Sequence, residues 1–183
     1  MTTMMTTMMT VTSMIWCNGK KKIVTNLVAG IIGGTHHRST GGAANHLCLT
    51  SHPVLDGHRQ PSGNGYAYVY GSEYGICPEP ECNTTPACAV CRVSRAASVM
   101  IPGTNVCSSG WTKEYSGYIM ANYHGYTGSS EFICVDSVHD HYSETTQSAD
   151  SENIIYYTHV KCGALPCPPY IDEKIVTCVV CTK

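Results

Sequence analysis

The chain is poor in the residues that usually build a core: one Phe and two Trp in 183 residues, few Leu, and only 13% charged residues. A net charge near −2 leaves no excess of either sign, so it gives no reason to expect nucleic acid or an anionic membrane as partner. No apolar run approaches the roughly 20 residues that span a bilayer. The opening "MTTMMTTMMTVTSMIW" has neither a basic n-region nor a continuous apolar h-region and does not read as a signal peptide. No nucleophile elbow, H-E-x-x-H or phosphate loop occurs, which argues against an enzyme and against a cofactor.

What the chain has instead is cysteine, twelve of them. So many in a chain this short describes a secreted, extracellular protein whose disulfides supplement a thin core. With the cysteines oxidised, no thiolate nucleophile is left for catalysis.

The cysteines are also ordered. Cys88-Ala89-Val90-Cys91 and Cys178-Val179-Val180-Cys181 write the same C-x-V-C twice. C-x-x-C as a metal knuckle or redox motif needs a tight turn, whereas β-branched Val favours a strand. In a strand, residues three apart face opposite ways, so the two cysteines of each motif should reach different partners.

Aligning these motifs sets Cys17 opposite Cys107, Cys48 opposite Cys134, Cys77 opposite Cys162 and Cys82 opposite Cys167. The text between follows suit: "GTHHRSTGGAANHLCLTS" is similar to "ANYHGYTGSSEFICVDS", with His37 opposite His124. The pattern is an internal duplication. Residues 1–16 form a Met/Thr-rich segment, 17–95 the first repeat, 96–106 a connector and 107–183 the second repeat.

Strand language dominates both repeats. "YAYVY" alternates Tyr66, Tyr68 and Tyr70 against small residues, "IVTCVVC" is β-branched, and Gly, Pro, Asn and Ser punctuate between runs. The expected fold is mainly β: a compact, disulfide-rich domain built from two homologous halves. Segment 1–16, with Met at helical spacing and Thr between, leaves helix and strand open. Docking on its own domain, or into a neighbouring subunit, is the expectation for it.

The stretches "GGAANHLCL", "GYAYVYGSEYG", "CAVCRVSRAASVMIPGTNVCSSGWTKEYSGYIMANYHGYTGSSEFICVDS" and "KCGALPCPPY" with "VTCVVCTK" resemble the C-terminal non-collagenous domain of spongin-type invertebrate short-chain collagens. The resemblance covers about residues 17–183. It implies carbohydrate binding as one activity, because a lectin with affinity for galactose-type sugars is similar to this domain. It supplies no residue-level sugar site. It also implies that Cys162 bonds Cys167 and that Cys77 bonds Cys82, with the other eight cysteines linked alike in both halves. The chain departs from the family in lacking a Gly-X-Y repeat, which excludes a triple helix, and in its Met/Thr segment.

Sugar binding needs an aromatic face for the pyranose ring and planar donors and acceptors for its hydroxyls. Two Gly-rich loops offer them: Tyr123, His124, Tyr126 and Glu131 in one, and His36, His37, Arg38 and Asn45 in its counterpart. Two such loops imply two sites per chain. Trp111 is a further candidate, with Tyr115 and Tyr118. With so little Phe, however, Tyr and Trp must also furnish the core, and Tyr66, Tyr68 and Tyr70 read first as an inter-sheet aromatic layer and second as a subunit contact.

Metal is not expected. His139-Asp140-His141 and His36-His37 pair imidazoles in the manner of zinc or copper ligands, yet the first lies in polar, turn-like sequence that suits solvated loop histidines, and Asp136, Asp140 and Asp150 form no calcium loop. Asn83-Thr84-Thr85 is a glycosylation sequon, with Pro86 and Cys82 beside it counting against its use. The reading is a secreted glycan-binding homo-oligomer whose partner is a carbohydrate or glycoconjugate, or alternatively a fibre or matrix subunit.

Overall fold

The computed structural model describes residues 25–57, 65–75, 84–138, 141–142 and 152–183. Segment 1–16, Cys17, Cys77, Cys82, Asn83, His139, Asp140 and Asp150 lie outside them, and so do the expectations that rest on them. Among the described residues there is no helix, and hence none long and apolar enough to cross a membrane. The chain is an all-β, disulfide-rich domain.

Ten strands are described: β1 (Thr25–Gly34), β2 (Leu47–Thr50), β3 (Tyr70–Tyr74), β4 (Thr85–Arg92), β5 (Ser98–Pro102), β6 (Thr112–Ala121), β7 (Ile133–Asp136), β8 (His141–Tyr142), β9 (Asn153–Tyr157) and β10 (Thr177–Thr182). They hydrogen-bond in the order β5-β10-β6-β9-β3-β1-β4-β8, with β2 added to β1 and β7 to β6. β6 shows why such segments become strands. Tyr115, Gly117 and Ile119 are buried while Glu114, Ser116 and Tyr118 between them are not fully so, a period of two.

Two long strands organise the domain along one plan. β1 pairs antiparallel with β2, β3 and β4; β6 pairs antiparallel with β7, β9 and β10. Gly30 of β1 stands opposite Thr50 and Cys88, and Gly117 of β6 stands opposite Asp136 and Cys178. The groups meet where β3 and β9 run parallel, Ser72 beside Asn153 and Tyr74 beside Ile155. The segment 96–106 is more than a connector, because it contains β5, which pairs with β10 along its whole length.

Both C-x-V-C motifs lie in strands, β4 and β10. Their cysteines part as strand geometry requires. Cys178 bonds Cys134 while Cys181 bonds Cys107. Cys88 bonds Cys48, and Cys91 is also disulfide-bonded. Cys162 bonds Cys167. Among the described residues no cysteine is free.

The bonds Cys48–Cys88 and Cys134–Cys178 lie within the main apolar cluster or against it, beside Ile32, Tyr74, Tyr115, Ile119, Met120, Ile133, Val135, Ile155 and Val180. Sulfur and Tyr fill the volume that Phe and Leu fill elsewhere. Tyr115 is such a packing residue: it is buried, and its hydroxyl donates to the Cys134 carbonyl at 2.9 Å.

One sequence expectation changes. In "YAYVY" only Tyr70 belongs to a strand, and β3 runs on through "YGSEY". Residues 66–69 are exposed and pair with no described strand. Their alternation therefore marks no inter-sheet layer.

Candidate functional site

The ends of β1 and β6, the start of β3 and the body of β9 come together, and this juxtaposition brings the two Gly-rich loops into contact. The Gly128 amide donates to the His37 carbonyl at 3.0 Å, the Thr127 hydroxyl to the Arg38 carbonyl at 2.7 Å, and the Glu131 amide to the Ala44 carbonyl at 2.7 Å. The Glu131 carboxylate accepts from the His46 amide at 2.9 Å. A side chain at Gly128 would start 2.7 Å from the His36 carbonyl oxygen, so the backbones meet here without space for a Cβ. The loops thus form one composite surface.

Beneath it lies a buried polar clasp. Asn153, 1% exposed, donates to the Thr35 carbonyl at 2.8 Å and to Asn122 Oδ1 at 3.4 Å, and it accepts from the Ser72 hydroxyl at 2.9 Å. Asn122 in turn donates to the Gly128 carbonyl at 3.1 Å and receives the Ser130 hydroxyl oxygen as acceptor for its amide at 2.8 Å. One β9 residue thereby holds β1, β3 and the end of β6 together.

His46 is buried at the same junction, with Asn153 and Glu131 beside it, yet neither ring nitrogen has a hydrogen-bond partner of good geometry among the described residues. Burial holds its proton affinity below the ordinary imidazole value, outweighing the opposite pull of Glu131.

Above the clasp the rings form a continuous row. His36 stacks on His37 at 4.4 Å between centroids; His36 meets Tyr70 at 5.2 Å, and His37 meets Tyr126 at 4.5 Å. Tyr126 continues to Tyr123 at 5.4 Å and Tyr156 at 6.1 Å, and Tyr123 to His124 at 4.5 Å. In the other direction Tyr70 leads to Tyr68 at 6.2 Å and Tyr68 to Tyr66 at 6.0 Å.

The hydroxyls of Tyr126 and Tyr156 are 3.0 Å apart. Burial, then the hydrogen bond to Tyr126, pushes the Tyr156 phenol well above its ordinary range, so it stays protonated. Glu73 on β3 has its proton affinity raised by burial and by the like charge of Glu152.

The sequence candidates divide by position. Arg38, Asn45, Tyr123 and His124 are exposed; His36, Tyr126 and Glu131 are half-buried. His37 is buried, 2% exposed, and its Nδ1 donates to the Glu152 carbonyl at 2.9 Å while its amide donates to the same oxygen at 3.2 Å. His37 and Glu131 therefore hold the loops in place. Although His37 aligns with His124, one is buried and the other solvated.

Trp111 is not part of the cluster. It precedes β6 and Tyr123 follows it, so the ten-residue strand separates them by about 30 Å. Tyr118 packs edge-on against Tyr157 instead.

Tyr66, Tyr68, Tyr70 and Tyr156 join the row without having been singled out for a ligand. The signal for Tyr66, Tyr68 and Tyr70 was the alternating Tyr of "YAYVY". Among the described residues no three His, Cys, Asp or Glu side chains converge as a metal ion would require. The chain matches no protein-family model, no curated protein and no solved structure.

Proposed function

We propose that this chain is a secreted, non-catalytic glycan-binding protein related to the C-terminal domain of spongin-type short-chain collagens, with its sugar site on the composite loop surface. The observation that carries the reading is the convergence of both Gly-rich loops into one aromatic surface, with Tyr123, His124, Arg38 and Asn45 exposed on it. Aromatic faces cover the apolar face of a pyranose, and Arg and Asn offer planar donors to its hydroxyls.

The matching strand plans of the two halves support reading residues 17–95 and 107–183 as copies of one unit. Because the loops converge, multivalency in this reading comes from association of chains. The disulfides suit an oxidising, extracellular setting.

The test is a glycan array with and without chelator, run on the wild type and on Tyr123→Ala. Binding to galactose-type glycans that survives chelation and is lost in the variant is the expected result. A wild type that binds no glycan would overturn the proposal.

A second reading rests on β5. This strand ends the sheet order and pairs with β10 alone among the named strands, leaving a backbone edge that a further strand could join. A matrix or fibre subunit would use that edge for a neighbour's segment 1–16. Sizing of the chain with and without residues 1–14 distinguishes it: assemblies that collapse on truncation support this reading.

A further inference from the structure

The ring row is longer than one sugar. Its freely exposed members stand at its two ends, Tyr66 and Tyr68 (48% and 64% exposed) at one and Tyr123 (46%) with His124 at the other. Between them lie half-buried Tyr70, His36 and Tyr126, with the ring of buried His37 joining His36 to Tyr126. A terminal sugar stacked on Tyr123 would leave the far end in water. Residues 66–69 at that far end belong to no described strand.

We infer that the row binds an extended polysaccharide along several consecutive sugar units, rather than a single terminal sugar. This rests on the glycan-binding reading above and names the class of glycan. Each end then contributes separately. Tyr123 anchors a short ligand, and Tyr66 with Tyr68 adds affinity only for a chain long enough to reach them.

The test is calorimetry of the full chain with oligosaccharide ladders of one to eight units (β-1,4-galacto-, chito- and xylo-oligosaccharides). The expected result is affinity for one ladder rising at least about tenfold from the shortest to the longest member. Tyr66→Ala/Tyr68→Ala should remove that gain and leave short-ligand affinity unchanged; both residues are exposed, and circular dichroism checks that the fold persists. Tyr123→Ala should weaken every length.

Equal affinity at all lengths would overturn the extended-chain inference while leaving a terminal-sugar lectin standing. No binding to any ladder or to the glycan array would overturn both readings.

Discussion

Gly30 and Gly117 occupy the same position in two different strands: a Cβ on Gly30 would collide with the Leu49 carbonyl oxygen, and a Cβ on Gly117 with the Val135 carbonyl oxygen. Each glycine also faces a core cysteine, Cys88 or Cys178, on the other side. These are the points where each long strand is gripped from both edges.

Alanine at either position forces two paired backbones apart. Gly30→Ala and Gly117→Ala should each lower stability by about 3 kcal/mol or more in urea unfolding. Gly71→Ala is the control, since a Cβ there meets no described atom within 4 Å and should cost less than about 0.5 kcal/mol. Equal stability of G30A and G71A would show that β1 and β2 can part at this point without loss.

Asn153 is the polar clasp between the halves. Asn153→Ala leaves the Thr35 carbonyl and the Ser72 hydroxyl, both buried, without their partner. A loss of about 3 kcal/mol is expected. Hydrogen exchange should show β1, β3 and β9 opening together; opening confined to β9 would contradict the clasp.

The disulfides should rank by the loop each closes. On the chain-entropy account, losing Cys48–Cys88 or Cys134–Cys178, with separations of 40 and 44, costs about 4 kcal/mol, and losing Cys162–Cys167, with a separation of 5, about 2 kcal/mol. Paired Cys→Ser variants in thermal unfolding check the order. Cavity formation in the core adds to the first two and not to the exposed third, which widens the gap.

Acid should weaken the loop junction through His46. Its folded-state proton affinity lies below the ordinary value of 6.5, so below that pH the unfolded chain binds more protons than the folded one. Stability is then full above about pH 6.5 and falls as pH drops below it. His46→Phe should flatten this limb of the stability profile. An unchanged profile would assign the acid sensitivity to other groups.

The β class and the splitting of each C-x-V-C pair were legible because both are local: Val-rich text makes a strand, and a strand separates residues three apart. Much of the site was not. That His36 and Tyr126 belong to one surface depends on β3 and β9 lying parallel, a register between distant segments that no local pattern encodes. Trp111 and Tyr123 looked equally eligible in sequence, yet one ten-residue strand sets them at opposite ends. "YAYVY" alternates as a strand does, but alternation predicts strand only where a neighbour supplies the ladder. Residues 66–69 lie in no described strand.

The Cys107–Cys181 bond has a mechanical meaning. It joins the start of the second half to a point two residues before Lys183, and Ala97 and Lys183 exchange backbone hydrogen bonds at 2.9 and 3.0 Å just outside it. Tension applied at the C-terminus would pass through the sulfur bridge straight to Cys107. The loop between the two cysteines, with a sequence separation of 74, would bear none of it. Pulled by its ends in a force microscope, the oxidised chain should never release that length, and the reduced chain should. A protein built this way keeps half of its ring row folded under load.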